Sequence, residues 1–279
     1  MNSPLSKYYR QPAMYITLPS KGQFYPAGAI EYPDNGEIPV YPMTAIDEIT
    51  YRTPDALFNG EATTDVIKSC VPAIKDPWTM PSIDFDTILV AIRAASYGPE
   101  ADIETVCPKC GETSEFTINI NHMLAQVTGG DYSAPITYGD LQIYTKPISY
   151  KVVYDNQMAQ FEEQQKINSI ASGDESEVEK LHKVNSMLKR MTATTLNAMT
   201  SGIVMIKTPE FTVTNQTEIR DFITNIDRAT FTLIRDKLAE LRKLSELKPI
   251  DITCQNEECG YQYSTPFTVD QASFFAPGS

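Results

Sequence analysis

Four of the chain's five cysteines stand in two pairs, Cys107 with Cys110 and Cys254 with Cys259. A glycine follows each pair at once, Gly111 in the first and Gly260 in the second. The flanks also correspond. Ile103-Glu104-Thr105-Val106 leads into the first pair and Phe116-Thr117-Ile118 follows it; Ile250-Asp251-Ile252-Thr253 and Phe267-Thr268-Val269 frame the second. A turn between two cysteines lets both sulfurs face the same way, and the glycine accepts the positive φ that the backbone needs after the second one. Two such knuckles offer four thiolates at tetrahedral corners, the donor set of a structural Zn²⁺ site. Cys107, Cys110, Cys254 and Cys259 are therefore the expected metal ligands. A four-thiolate site leaves no open position for water, so the zinc would serve structure and not hydrolysis. Alone, the first pair would also suit a redox motif, and a structural disulfide or unrelated buried cysteines are the other readings of the set. The 143 residues between Cys110 and Cys254 are tolerable if the intervening chain folds with its ends together, because loop-closure cost grows slowly with length.

Little else in the sequence suggests chemistry. Cys70, within Val66-Ile67-Lys68-Ser69-Cys70-Val71, reads as a small buried hydrophobe. His122 and His182 are isolated and offer no nucleophile–base pair, and neither a phosphate-binding glycine loop nor a serine elbow is present. Asp84 and Asp86 fall in the first turn of an expected helix, where acids serve the helix dipole more often than acid–base catalysis. No catalytic residue, no organic-cofactor site and no enzymatic activity are expected. The net charge of −13 repels phosphate backbones, which argues against nucleic acid as a partner and suits a partner with a basic face. A hydrophobic content of 42% is that of a globular protein. No apolar run is long enough to span a membrane, and the first residues lack the apolar core of a secretory signal. Synthesis and folding in a reducing cytoplasm follow, where paired cysteines hold metal more often than they form disulfides.

The expected elements are these. Prolines at 4, 12, 19, 26, 33, 39 and 42 make residues 1–45 an extended N-terminal arm with β-like pieces at Met14–Leu18 and Glu37–Tyr41, laid either on its own domain or on a neighbour. A small helical region covers 46–102. Its first helix is opened by Thr44 with Asp47, its second runs Glu61–Val71 up to Pro72, and its third runs Ser82–Tyr97 with Ile88, Leu89, Ile92 and Ala95 on one face. Residues 103–148 hold the first zinc knuckle and a β segment that turns at Tyr138-Gly139-Asp140. Residues 149–248 form a helical insertion with a hairpin, Tyr150–Ala171 and Glu175 to about Thr200, broken at Ser172-Gly173-Asp174 and with Asp174 as a cap. Val178, Leu181, Val184, Leu188, Met191 and Thr195 step by three or four residues, a coiled-coil-like seam expected to hold the two helices together. Two short strands, Gly202–Ile206 and Phe211–Thr214, precede helices at Thr217–Ile226 and Arg228–Leu247, with Asp227 as the cap between them. Residues 249–279 carry the second knuckle and a C-terminal tail. The expected class is α+β: a mainly helical body with a long helical hairpin and a split four-cysteine zinc ribbon.

Three stretches, Leu18-Pro19-Ser20-Lys21-Gly22-Gln23-Phe24-Tyr25-Pro26, Met43–Glu48 on to Pro54–Gly60, and Asp86–Gly98, together with the cysteine pair that follows, resemble the T4-type bacteriophage baseplate proteins, specifically a baseplate hub component of contractile-tailed phages. The resemblance covers roughly the first 120 residues. It implies a structural or assembly role without catalysis, other tail or baseplate proteins as partners, and a place in the virion tail baseplate or, during assembly, in the host cytoplasm. The alternative from another class is a zinc-ribbon regulatory protein that binds nucleic acid or the transcription machinery. A basic, aromatic-studded hairpin tip would favour that alternative; the tips here read Pro108-Lys109 and Gln255-Asn256-Glu257-Glu258, and the latter is acidic.

Overall fold

The structure, a computed structural model, describes residues 4–51, 60–171 and 177–267. In chain order the first elements are β1 (Met14–Ile16), β2 (Ile38–Val40), α1 (Ala45–Tyr51), α2 (Glu61–Cys70), α3 (Ser82–Tyr97), β3 (Glu100–Val106), β4 (Thr113–Asn119) and α4 (Ile120–Ala125). There follow β5 (Ile136–Tyr138), β6 (Leu141–Thr145), α5 (Tyr150–Ala171), α6 (Glu177–Ser201), β7 (Ile203–Lys207), β8 (Thr212–Val213), α7 (Gln216–Asn225), α8 (Arg228–Lys243), β9 (Ile250–Thr253) and β10 (Gln262–Thr265). The class is α+β. The chain divides into two compact units, Met1–Gly129 with Leu244–Ser279, and Gly130–Lys243. Asp174, Thr268 and Val269 lie outside the described residues. No described helix is long and apolar enough to cross a membrane.

The first unit is built around α3. Ile88, Leu89, Val90, Ala91 and Ile92 are all fully buried, so the middle of the helix is enclosed on every side and not only on the face that the spacing of Ile88, Leu89 and Ile92 marks. A helix apolar all round belongs inside a core, and the sequence Ile88–Ile92 has no polar residue to turn outward. The N-terminal segment lies on this unit. β1 and β2 pair antiparallel, with Met14 opposite Val40 and Ile16 opposite Ile38. Ahead of them Arg10 donates to the Pro42 carbonyl, to Asp47 Oδ2 at 3.2 Å and to both oxygens of Ser69 at 2.7 Å. Asp47 in turn caps α1. Its Oδ2 accepts from the Thr44 N–H at 2.7 Å and the Thr44 hydroxyl at 2.8 Å, and the Asp47 N–H returns a bond to Thr44 Oγ1 at 3.2 Å. The reciprocal capping satisfies amides that the helix leaves open.

Asp84 has a different role from the dipole partner expected of a first-turn acid. It is fully buried, and its carboxylate accepts from the Ser20 N–H at 2.8 Å, the Ser20 hydroxyl at 2.6 Å and the Tyr25 hydroxyl at 2.9 Å. Burial pushes its carboxyl up to about 6, against the pull of the Ser20 and Tyr25 hydrogen bonds. The stretch Leu18–Pro26 is thus a loop wrapped on one buried acid. Gly22 sits in it at φ +74°, and a Cβ there would lie 2.5 Å from the Tyr32 ring, so only glycine fits.

The second unit holds a four-stranded antiparallel sheet in the order β5-β6-β7-β8. Ile136 faces Ile143, Ile143 faces Ile206 and Ile206 faces Val213, a cross-strand row of β-branched side chains. Met199, Ile219, Ile223 and Ile234, from α6, α7 and α8, close on this row with Ile203 to form the core. The caps are local and legible. Asn215 Oδ1 accepts from the Thr217 and Glu218 amides at the start of α7, and Asp227 Oδ1 accepts from the Ala229 and Thr230 amides at the start of α8.

Helices α5 and α6 pack on one another, and three members of the expected seam are exposed. Val184, Leu188 and Met191 are 41%, 56% and 43% exposed, whereas Met187 is 4% exposed and turned to the inside. Val178 and Leu181 lie outside the residues whose side chains are described. One residue is about 100° of helix, so Met187 stands a step round from Leu188. Polar contacts add to the pairing: Arg190 of α6 donates to Glu163 Oε1 of α5 at 3.1 Å.

Candidate metal centre

Two antiparallel hairpins carry the cysteines, both in the first unit. β3 and β4 run in register from Glu100 opposite Asn119 to Val106 opposite Thr113, which places Cys107 at the end of β3. β9 and β10 run from Ile250 opposite Thr265 to Thr253 opposite Gln262, which places Cys254 at the end of β9. In the first knuckle the Cys107 N–H donates to the Glu112 carbonyl at 2.8 Å and the Gly111 N–H to the Cys107 carbonyl at 2.9 Å. In the second the Cys254 N–H donates to the Tyr261 carbonyl at 2.9 Å, and the Cys259 and Gly260 amides share the Asn256 carbonyl at 2.9 and 3.1 Å. Gly111 has φ +77° and Gly260 φ +51°, the left-handed turn expected after each second cysteine.

These turns aim the sulfurs at one point. All four ligand atoms lie within 4.8 Å of one another, with Cys107 Sγ 3.9 Å from Cys259 Sγ and Cys110 Sγ 3.6 Å from Cys254 Sγ. A disulfide needs about 2.05 Å, so none of the sulfurs is bonded to another. These two separations match the edge of a tetrahedron with metal–sulfur distances of about 2.3 Å, which is about 3.8 Å. Cys107 and Cys254 are buried while Cys110 is exposed, so the cluster is walled on one side and reachable from the other.

The electrostatics of the cluster are compatible with a cation. Burial raises the Cys107 thiol, but the amides of Cys110 and Lys109 and hydrogen bonds from Cys110 and Cys254 bring it down to about 7. The Asn256 amide would lower Cys254, yet burial and the three neighbouring sulfurs push it up to about 12. The protein alone thus stabilises one thiolate at the expense of the next, and a bound cation would allow more of them to coexist. The residues fit a metal ion.

Two supporting features were not evident from the cysteine spacing. Gln255 Nε2 donates to the Glu115 carbonyl of β4 at 3.1 Å and so links the knuckles directly. Asn256 folds the longer second loop, its Oδ1 taking the Glu258 N–H at 3.0 Å while its carbonyl takes two more amides. An asparagine inside a four-residue spacer is the signal for such a turn. At the tip Lys109 lies 5.7 Å from the centre of the Tyr261 ring, and Tyr261 stacks on Tyr263. Cys70 is fully buried and apart from the cluster, with burial pushing its thiol up to about 12. His122 pairs with Gln126 at 2.7 Å and does not approach the cysteines.

The glycine turns lead to a first prediction. Gly111→Ala adds a Cβ into open space, so no clash arises, but it forces a side chain into left-handed backbone. It should lower stability by about 1–2 kcal/mol and weaken metal affinity, read by thermal melting and by competition with a colorimetric chelator.

A family model described as T4 bacteriophage base plate protein matches residues 30–276, most of the chain. The match runs through both knuckles and everything between them. No curated protein and no solved structure matches the chain significantly.

Proposed function

Because the chain belongs to the T4 bacteriophage base plate protein family, we propose that it is a structural or assembly component of the tail baseplate hub, acting through protein–protein contacts and without catalysis. The observation that carries this reading is the extent of the match, which takes in both cysteine knuckles and the intervening second unit. The four sulfurs would hold a structural Zn²⁺, making the two knuckles a split zinc ribbon. The chemistry such an ion supplies is neutralisation and fixation of four thiolates. β3–β4 and β9–β10 orient the sulfurs, and Gln255 keeps the second knuckle against the first. α5 and α6 are read as a helical hairpin that meets other tail proteins. The family implies a location in the virion tail; passage through the host cytoplasm during assembly belongs to the proposal. The acidic tip at Glu257-Glu258 and the net charge of −13 oppose the nucleic-acid reading.

Mass spectrometry of purified particles and of baseplate intermediates from infected cells tests the role. The chain is expected in at least one of the two fractions. Its absence from both would overturn the assignment.

A further inference from the structure

Two sulfur–sulfur contacts run from one hairpin to the other, Cys107 Sγ to Cys259 Sγ at 3.9 Å and Cys110 Sγ to Cys254 Sγ at 3.6 Å. Each joins a buried cysteine to a more accessible one. Cys107 and Cys254 are buried, Cys259 is half-buried and Cys110 is exposed. An oxidant from solvent therefore meets Cys110 or Cys259 first, and the buried cysteine opposite is placed to react with the product. Closing either contact to a disulfide's length of about 2.05 Å takes a movement of under about 2 Å, shared by two side chains.

The hairpins also hold one another through contacts in which the sulfurs take no part. Gln255 Nε2 donates to the Glu115 carbonyl at 3.1 Å, and Lys109 of the first knuckle lies 5.7 Å from the centre of the Tyr261 ring of the second. Such contacts contribute too little to replace a metal, but they keep the sulfurs opposed while one set of bonds gives way to another.

We propose that the cluster is a redox-convertible clasp: a peroxide turns it into two disulfides across the hairpins, Cys107 with Cys259 and Cys110 with Cys254, so that the hairpins stay tied when the metal leaves. The Cys110 thiolate attacks one oxygen of the peroxide, the O–O bond breaks, and hydroxide departs from a sulfenic acid. The Cys254 thiolate then attacks the sulfenic sulfur, the S–S bond forms, and the second oxygen leaves as hydroxide. Two protons from solvent turn both hydroxides into water, so each disulfide passes two electrons to one peroxide. Cys259 and Cys107 react in the same way, and a dication that has lost its thiolates is released. This rests on the reading of the cluster as a metal clasp between the hairpins, and it names how that clasp is regulated. The two forms suit two settings. A component assembled in a reducing cytoplasm and carried out in a particle passes to one where disulfides persist.

The test uses the full chain, its zinc content measured beforehand, treated with hydrogen peroxide in the presence of a colorimetric zinc chelator. Zinc should be released, and the only free thiol left should be Cys70, which is buried away from the cluster. Linkages are mapped by mass spectrometry without reduction. Trypsin cuts after Lys109 and glutamyl endopeptidase after Glu258, which puts the four cysteines on separate peptides. Cys107 should be joined to Cys259 and Cys110 to Cys254. Links within a knuckle, any other pairing, links between chains, or sulfinic acids in place of disulfides would overturn the proposal. Stability gives a second readout. The oxidised, metal-free protein should melt within about 5 °C of the loaded one, because links across the long insertion restrain the unfolded chain as the metal does. Adding a reductant with the chelator present should then lower the melt by more than about 10 °C. An oxidised protein that melts no higher than the reduced, chelated one would sink the clasp. The metal reading is judged separately: a chain that holds no zinc yet forms these two links rejects the metal alone, and a zinc-loaded chain linked otherwise rejects the conversion alone.

Discussion

Removing the metal should unfold the first unit. Purified chain is expected to carry one zinc, and Cys→Ser at position 107, 110, 254 or 259 should release it and lower the melting temperature of that unit by more than about 10 °C. The size of the effect follows from what the site closes. Two hairpins, neither of which buries much on its own, are joined across 143 residues. Cross-linking a chain over a loop of that size is worth about 5 kcal/mol in denatured-state entropy, and structural zinc in small peptides contributes about 10–16 kcal/mol. Either figure is comparable to the whole stability of a domain, about 5–15 kcal/mol. The isoleucine-rich core of the second unit contains no cysteine, so its transition should persist after chelation. Cys70→Ser provides the control, because Cys70 is buried away from the cluster and should leave zinc content unchanged. A melt that chelation does not move would reject the structural metal outright.

The second large effect concerns Asp84. Its carboxyl titrates at about 6 in the folded chain against an ordinary 3.8, so between those values the folded state holds a proton that the unfolded state has lost. Stability from this group therefore falls as pH rises through that window and is lowest above about 6. A difference of about two pKa units corresponds to about 3 kcal/mol. Asp84→Asn removes the titration while keeping an acceptor for the Ser20 N–H, and the two hydroxyls can reorient to meet the new amide. The variant should match the wild type near pH 4 and exceed it by up to about 3 kcal/mol at pH 7.5, measured by urea unfolding at a series of pH values. Taking the difference between the two proteins cancels the other carboxylates. A gap that does not change with pH would show that Asp84 is not held as a buried, reluctantly ionised acid. Its anchoring of Ser20 and Tyr25 would remain, but without the energetic cost assigned to it.

The extents of α3 and α5 are the same in the sequence reading and in the fold, because the signals that set them are local. An apolar period of three to four residues, a proline or a glycine–proline stop, and capping side chains such as Thr44, Asp47 and Asp227 act within one or two helical turns. The four-cysteine cluster was legible for a related reason: a cysteine pair followed by glycine is a complete geometric instruction within a few residues, and its repetition pointed to a shared site. What lay beyond reach depends on partners distant in the chain. Asp84 looked like a dipole acid until the fold brought Ser20, 64 residues away, onto its carboxylate. The β5–β6 hairpin follows the first knuckle in sequence, yet its sheet is completed by β7 after the long helices. Most telling is α6, where the heptad spacing marks a stripe but does not say how much of it the neighbouring helix covers: Val184, Leu188 and Met191 are exposed. Periodicity defines a helix face by rotation about its own axis. Whether that face meets the neighbouring helix depends on how the two axes pack, and here Met187 and Glu163 are the buried residues, with Arg190 reaching Glu163 from an exposed side chain.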